Sequence, residues 1–275
     1  MNGGLPPSVF AGMPRRFDPR PVGLEQASSL LTESLALFRQ APSRLTGLFL
    51  LVFFPIQLLP ALPYFGMPLR EALAAIGYAG IFVALEAVRV GRKASLPNMA
   101  VPWRLPPDKI LLLVASGLVP LLGVLFVWWA DWGGDALNAY LSGATPDVAL
   151  PARQEVEFVV VSNLLGMPLL FVQPLAVLYS WSGSRTLAAS LLVWAANWRW
   201  VGMLALGMIP VAIGLDSLEP QTVLDLVLTL AVAAAVELGV CVFTLTLLQR
   251  SLRMGADGNA PLPRAGEGQG EGRKK

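Results

Sequence analysis

Apolar residues fall in six long blocks separated by short polar segments: Thr46–Phe65, Ala72–Val90, Ile110–Ala130, Phe158–Trp181, Trp200–Leu215 and Thr222–Leu248. A helix needs about 20 mostly apolar residues to cross about 30 Å of hydrocarbon, so this pattern predicts six transmembrane helices. The fifth block reaches only roughly 24 Å at 1.5 Å per residue and is expected to draw on Trp198 and Arg199 at its start. The sixth is long enough to tilt or to continue beyond the bilayer. The first block does not read as a leader peptide, because it carries Pro55, Pro60 and Pro63 and no small-residue cleavage site follows it.

Two further segments repeat at helical spacing without being apolar all round. Val22–Gln40 places Leu24, Ala27, Leu31, Leu35 and Phe38 on one stripe, and Ser184–Ala196 does so with Leu187, Leu191 and Trp194. Both are expected to lie in the inner leaflet as amphipathic helices. The fold class is therefore all-α: a polytopic membrane bundle over residues 22–254, with six transmembrane and two interfacial helices. Residues 1–21 and 255–275 are rich in Pro, Gly and charge and are expected to be disordered tails.

Charge sets the direction of threading. With the N-terminus inside, every Lys and Arg except Arg70 and Arg153 lies in an inner segment or at an inner helix end, Lys109 and Arg89 included. The opposite loops are acidic, through Asp131, Asp135, Asp147, Glu155, Glu157, Asp216 and Glu219. Basic loops stay cytoplasmic, so both termini are expected inside, in a bacterial inner membrane. Trp128, Trp129 and Trp132 fall at one predicted membrane border, and Trp181, Trp194, Trp198 and Trp200 at the other, as an interfacial belt does.

Composition narrows the chemistry. The chain has 275 residues, 55% hydrophobic and 14% charged, with no histidine and a single cysteine, Cys241. Soluble domains average about 25% charged residues. The missing histidine removes Ser-His-Asp catalysis and His-ligated metal or haem. One cysteine allows no intrachain disulfide and no thiolate zinc cluster. There is no Walker loop, and Ser142 and Ser182 have no general base near them in sequence. No enzyme, metal or cofactor is expected. The expected partner is the lipid bilayer, with a membrane protein or a second copy of the chain as further candidates, and no nucleic acid.

The region before the first span is similar to the region before the fifth. With a one-residue gap, Ser34, Arg44, Gly47 and Pro55 align with Ser190, Arg199, Gly202 and Pro210. A parallel duplication and chance likeness between Leu-rich segments both account for this. Three further motifs stand in these regions. Leu37, Phe38 and Arg39 precede Pro42 by a two-residue gap, and the Pro-rich first span ends in Pro63-Tyr64-Phe65-Gly66. Ala189-Ser190 is followed by Asn197-Trp198-Arg199 before the fifth span. These motifs resemble a group of uncharacterised bacterial multi-pass inner-membrane proteins, itself similar to the membrane domain fused to some glycerophosphodiester phosphodiesterases. The resemblance covers residues 22–250. It implies a six-helix fold and brings no activity and no catalytic residues with it.

Inside the spans the informative positions are few. Pro55, Pro120, Pro168, Pro174 and Pro210 each remove a backbone donor and tend to kink a helix. Gly77, Gly80, Gly117, Gly123 and the run Ala231, Ala233, Ala234, Ala235 and Gly239 offer smooth surfaces for helix contact. Glu86 and Arg89 stand three residues apart near an inner helix end and predict a structural ion pair. Glu237 lies deep in the sixth span, where a charge costs at least about 2.5–3.5 kcal/mol. It must be protonated, paired or facing water, and Gln57, Ser162, Asn163, Gln173 and Thr229 are its candidate partners. Glu237, Gln57, Asn163 and Gln173 form the candidate polar site. Two readings follow: a neutral carboxyl joining helices in a non-enzymatic scaffold or partner-binding bundle, which is favoured, or a proton or cation site in a small transporter or channel. A polar cavity reaching Glu237 distinguishes the second from the first.

Overall fold

The computed structural model describes residues 17–142, 152–216 and 222–256. Among these, ten α-helices follow one another and no strand occurs. They are α1 (Ala27–Arg39), α2 (Pro42–Gln57), α3 (Gly66–Arg89), α4 (Leu96–Met99), α5 (Pro107–Ser142), α6 (Ala152–Gly166), α7 (Val172–Leu178), α8 (Gly183–Ala196), α9 (Trp198–Asp216) and α10 (Val223–Ala256). Five stretches are long and apolar enough to cross a membrane, and α8 with α9, bent by 84°, makes a sixth if taken as one span. The protein is an all-α polytopic membrane bundle.

Span borders move where proline and glycine dictate. Pro60 and Pro63 cannot donate backbone hydrogen bonds, so α2 stops at Gln57 and a short 3-10 turn, Leu59–Ala61, follows. Tyr64 then takes a left-handed conformation, φ 61°, and α3 starts at Gly66, ahead of the predicted border at Ala72. The predicted fourth span is broken around Pro168 into α6, a 3-10 turn and α7. The predicted third span ends at Ala130, but α5 runs on to Ser142 across a kink at Gly133. Gly133 has φ 80°, a region open to glycine at little cost. The turn there brings Tyr140 back onto Trp128, ring centroids 4.6 Å apart, with Phe158 of α6 on the same indole at 5.6 Å.

The central helix is α3. It packs against α2, α5, α7 and α10. Phe49, Phe53, Ile81, Phe82, Leu85, Leu113, Val172 and Leu245 form the main core around it. Glycine lets the neighbours close in: a Cβ on Gly80 would lie 2.9 Å from the Met99 backbone. A second core joins α7 to α10 through Phe171, Leu175, Trp181, Val193, Trp200 and Leu247.

Several expectations change at the edges of the bundle. The two predicted amphipathic helices leave much of the predicted stripe on the outer surface and turn a second face to the bundle. α1 buries Leu30, Ser34 and Leu37, while Leu24, Leu31 and Leu35 of the segment stay exposed. α8 buries Thr186, Ala189, Ser190 and Val193 and leaves Leu191 and Leu192 exposed. Small and hydroxyl residues permit close approach to the bundle beside Leu30 and Leu37, and Leu24, Leu31, Leu35, Leu191 and Leu192 remain on the outer surface. The tryptophan belt also divides. Trp129 and Trp198 are exposed, whereas Trp128, Trp181 and Trp200 are core residues.

Residues 17–21, expected to belong to the loose N-terminus, are instead tied down. Arg20 N–H donates to the Ser251 carbonyl, and Phe17 packs edge-on against Trp181 at 4.9 Å. Residues 1–16 and 257–275 of the predicted tails lie outside the described residues, as do Asp147 and Glu219 of the acidic loops. Lys109, expected in an inner loop, is buried. Its ammonium donates to the carbonyls of Ala176 (2.7 Å) and Tyr179 at the end of α7. Next to it Asp108 accepts from the Gly183 N–H at 2.6 Å. A lysine is stable there because the last carbonyls of α7 have no partner within their own helix.

Candidate functional site

The α9 end of the bundle depends on one asparagine. Asn197, at the α8–α9 bend, is buried and makes hydrogen bonds in three directions. Its carbonyl oxygen accepts from Val22 N–H, and its amide donates to the Val193 carbonyl and to Ser251 Oγ, each at 3.0 Å. Ser251 Oγ donates onward to the Arg20 carbonyl, and Trp200 Nε1 donates to the Val22 carbonyl at 2.8 Å. Ser190 Oγ reaches the Pro168 carbonyl, which the break in the fourth span leaves open, at 2.8 Å. The motif residues Ser190 and Asn197 thus set where α9 leaves the bend.

From that bend α9 goes to α6 and α8, and it hardly touches α10. The two helices meet where Trp200 faces Phe243, 5.9 Å between rings. Past this contact a cavity of about 360 Å³ separates them. Val201, Leu204, Ala205 and Met208 of α9 face Glu237, Val240, Cys241 and Thr244 of α10 across it. These positions follow the three-and-four spacing of one helix face. α3 contributes Arg70, Glu71, Tyr78 and Phe82, and the broken α6–α7 region contributes Ser162, Asn163, Met167 and Gln173. Gln57 closes the end of α2.

Four predicted site residues, Glu237, Gln57, Asn163 and Gln173, therefore line one cavity, with Ser162 beside them. Thr229 does not line it, and its hydroxyl donates to the Asp225 carbonyl at 2.9 Å. The observed partner of Glu237 is not among the five expected from sequence. Tyr78 Oη donates to Glu237 Oε2, and Phe49 stacks on the Tyr78 ring at 5.5 Å and holds it in place. The signal in the sequence is a phenol at mid-span in the second apolar block, where a polar tip needs a partner. Asn163 turns part of its polarity back into its own helix, donating to the Val159 carbonyl at 2.7 Å.

Arg70 is expected from sequence in an outer loop. The earlier start of α3 makes it a helix residue that lines the cavity, with Arg70 Nη1 2.9 Å from Glu71 Oε1. That pair balances itself. Glu237 is then the carboxyl in the lining without a salt bridge of its own, with the Arg70–Glu71 pair in the same cavity. The predicted Glu86–Arg89 pair is formed away from this cavity, with Arg89 Nη2 and Nε donating to the two carboxylate oxygens at 2.6 and 2.8 Å. Gln249 of α10 also donates to Glu86, at 2.6 Å.

Small-molecule sites commonly enclose about 300–1,000 Å³ with mostly apolar walls and a few convergent polar groups. The cavity has that form. Chemically it can hold a proton or a cation on Glu237, hydrogen-bond a solute through three side-chain amides, and shelter hydrocarbon against α9. Fold and site together define a polytopic helical membrane protein with a half-open, mostly apolar cavity that a few polar side chains line. No protein-family model matches the chain, and no curated protein or solved structure matches it either.

Proposed function

We propose that this protein is a small membrane transporter whose solute site is the chamber around Glu237. The reading is supported by one observation above all. The deep carboxyl faces a cavity shared with Gln57, Asn163 and Gln173, where a scaffold would seal it between apolar helices. Intramembrane carboxyls that face a cavity are used for proton relays and ion pathways. Pro168 and Pro210 bear on the helices that flank the chamber, and broken or kinked helices supply midplane sites in transporters. The test is proton flux in proteoliposomes. The wild type should exceed the protein-free leak, and Glu237→Gln should fall to it. Equal flux in both proteins at the leak rate overturns the reading and returns the scaffold role.

The proposed location is a bacterial inner membrane with both termini cytoplasmic, supported by the basic inner segments and the acidic outer loops. Asp147→Cys in a Cys241→Ser background should react with an impermeant maleimide from the outer side. Reaction only from the inner side reverses the orientation.

A further inference from the structure

The helices around the cavity form a ring that closes everywhere but at one seam. α10 packs on α3, α3 on α5, α5 on α6 and α6 on α9. Two of these seams are too tight for a methyl group. A Cβ on Gly117 of α5 would collide with the Glu71 carbonyl of α3, and one on Gly123 would collide with Leu165 and Val161 of α6. Among the described residues, α9 and α10 show no comparable packing beyond the Trp200–Phe243 contact. A Cβ added at Gly202, Gly207 or Gly214 of α9, or at Gly239 of α10, would meet nothing within 4 Å. α10 is apolar and long enough to span the membrane, and α9 belongs to the bent pair that makes a sixth span. Both turn exposed apolar side chains outward, Met203 and Leu206 on α9 and Leu228 and Val232 on α10. The open seam is therefore a slot that faces sideways into lipid.

A second feature stands at one end of this slot. Arg70 and Glu71 line the same cavity, and each side chain is 29% exposed. Tyr78 is close to the midpoint of α3, and Arg70 precedes it by about 12 Å along the helix axis. Half of a hydrocarbon core is about 15 Å, so both long side chains can reach the headgroup layer. The α3 wall from Arg70 to Phe82 covers about 18 Å, the depth that the chains of one leaflet fill. The mouth thus presents a cation and an anion side by side. An occupant with one charge would satisfy one of the two and strip the other of its partner. A headgroup with both charges replaces the single internal pair with two charge-assisted contacts.

We propose that the slot takes up one chain of a zwitterionic phospholipid from the surrounding bilayer, with the phosphate on Arg70, the ammonium on Glu71, and the hydrocarbon between α9 and α10. This rests on the reading of the cavity as the protein's solute site, and it names the substrate class and the route of entry. The solute arrives sideways from the membrane, past the faces of α9 and α10, and no aqueous funnel is required.

The full-length protein is reconstituted in phosphatidylglycerol vesicles that contain a trace of phosphatidylethanolamine with a photoreactive diazirine midway along one chain. After irradiation, peptide mass spectrometry locates the labelled residues. Labels are expected on the cavity walls, at Leu204, Ala205, Met208 and Val240, as well as on the outward faces. Labels confined to outward residues such as Leu206 and Val232 overturn the proposal. A tracer phosphatidylglycerol with the same diazirine has no ammonium for Glu71. It should label the walls at least about threefold less, the effect of one partly exposed ion pair. Equal wall labelling by the two tracers overturns the headgroup assignment. Glu71→Gln should bring the tracers level while outward labelling stays as in the wild type, and an unchanged preference overturns the place given to the ammonium. Met208→Trp, which fills the slot, should lower wall labelling severalfold and spare Leu206; if that variant does not fold, the tracer ratio in the wild type still decides. Glu237-dependent proton flux with outward labels alone rejects the lipid and keeps the transporter. Wall labels with flux at the leak rate in wild type and Glu237→Gln keep the lipid site and reject proton-coupled transport.

Discussion

α2 and α9 start alike and end in different surroundings. Each follows a surface helix that buries a serine, Ser34 in α1 and Ser190 in α8, and each carries a proline well inside, Pro55 or Pro210. α2 then lies along α3, with Phe49 and Phe53 stacked on each other and Phe49 on Tyr78. α9 meets its successor α10 at Trp200 and Phe243 and then faces a cavity. In a bilayer no hydrophobic force pulls helices together, so interlocking side chains decide which pairs close. α2 carries two aromatic rings that reach α3. The corresponding face of α9 carries Leu204, Ala205 and Met208, which stop short of α10.

The largest expected effect tests whether the closed pair carries the stability. Phe53 is 1% exposed, and Phe53→Ala leaves a hole beside Phe49 and Tyr78. Phe→Ala in soluble cores costs about 3–5 kcal/mol. In lipid the unfolded reference is itself apolar, and the packing share, on the order of 2 kcal/mol, should remain. Met208→Ala borders a space that already exists and should cost under about 1 kcal/mol by the same cavity argument. Helicity followed by circular dichroism during denaturation in mixed micelles compares the two. Equal losses would mean that α9 is as firmly packed as α2.

A middle-sized effect is expected at the bend that aims α9. Asn197→Leu removes the acceptor for Val22 N–H and a partner of Ser251 Oγ, both buried. Leaving buried polar groups unpaired costs about 1–3 kcal/mol each. Beyond that loss, α9 should no longer be held at its angle to α8. The chamber then changes, and Cys241, which lines it, should react with N-ethylmaleimide at a different rate. Phe53→Ala, distant from the bend, should leave that rate nearly as it was. Two variants that lower stability alike and also alter Cys241 reactivity alike would break the distinction between closing and aiming.

The sequence carries the architecture and half of the site. Long apolar blocks report membrane helices directly, because length and hydropathy are local properties, and α3, α5 and α10 stand where those blocks stand. Glu237, Gln57, Asn163 and Gln173 stand out because each is a polar group at apolar depth, again a local property. Which of them meet is not local. The Tyr78–Glu237 bond spans 159 residues, and it depends on α3 and α10 lying side by side. Arg70 falls on the wrong side of its border because hydropathy puts a helix end where charge begins, whereas helix hydrogen bonding continues back to Gly66. Lys109 differs for a similar reason: its partners are carbonyls of α7 and the residue after it, and carbonyls leave no mark in sequence. The protein-facing sides of α1 and α8 went unread because a helix lying between lipid and protein has two apolar faces, and periodicity does not say which neighbour each one meets.

The smallest expected effect lies where α3 and α10 are joined away from the chamber. Glu86 accepts from both Arg89 and Gln249, so it links the last turn of α3 to α10. Glu86→Gln keeps a side-chain oxygen of the same shape and removes the charge. The Arg89 side chain is 34% exposed, so solvent screens the pair, and its loss should cost about 0.3–1 kcal/mol. Raising the salt concentration should shrink the difference between the variant and the wild type, since screening weakens the pair that was lost. The midpoint of denaturation measured at low and high salt checks both the size and the trend. Proton flux should be unchanged, because neither Glu86 nor Arg89 lines the chamber. A Glu86→Gln protein with wild-type stability and impaired flux would place the working contact between α3 and α10 at this end of the helices, and would move the centre of the mechanism away from Glu237.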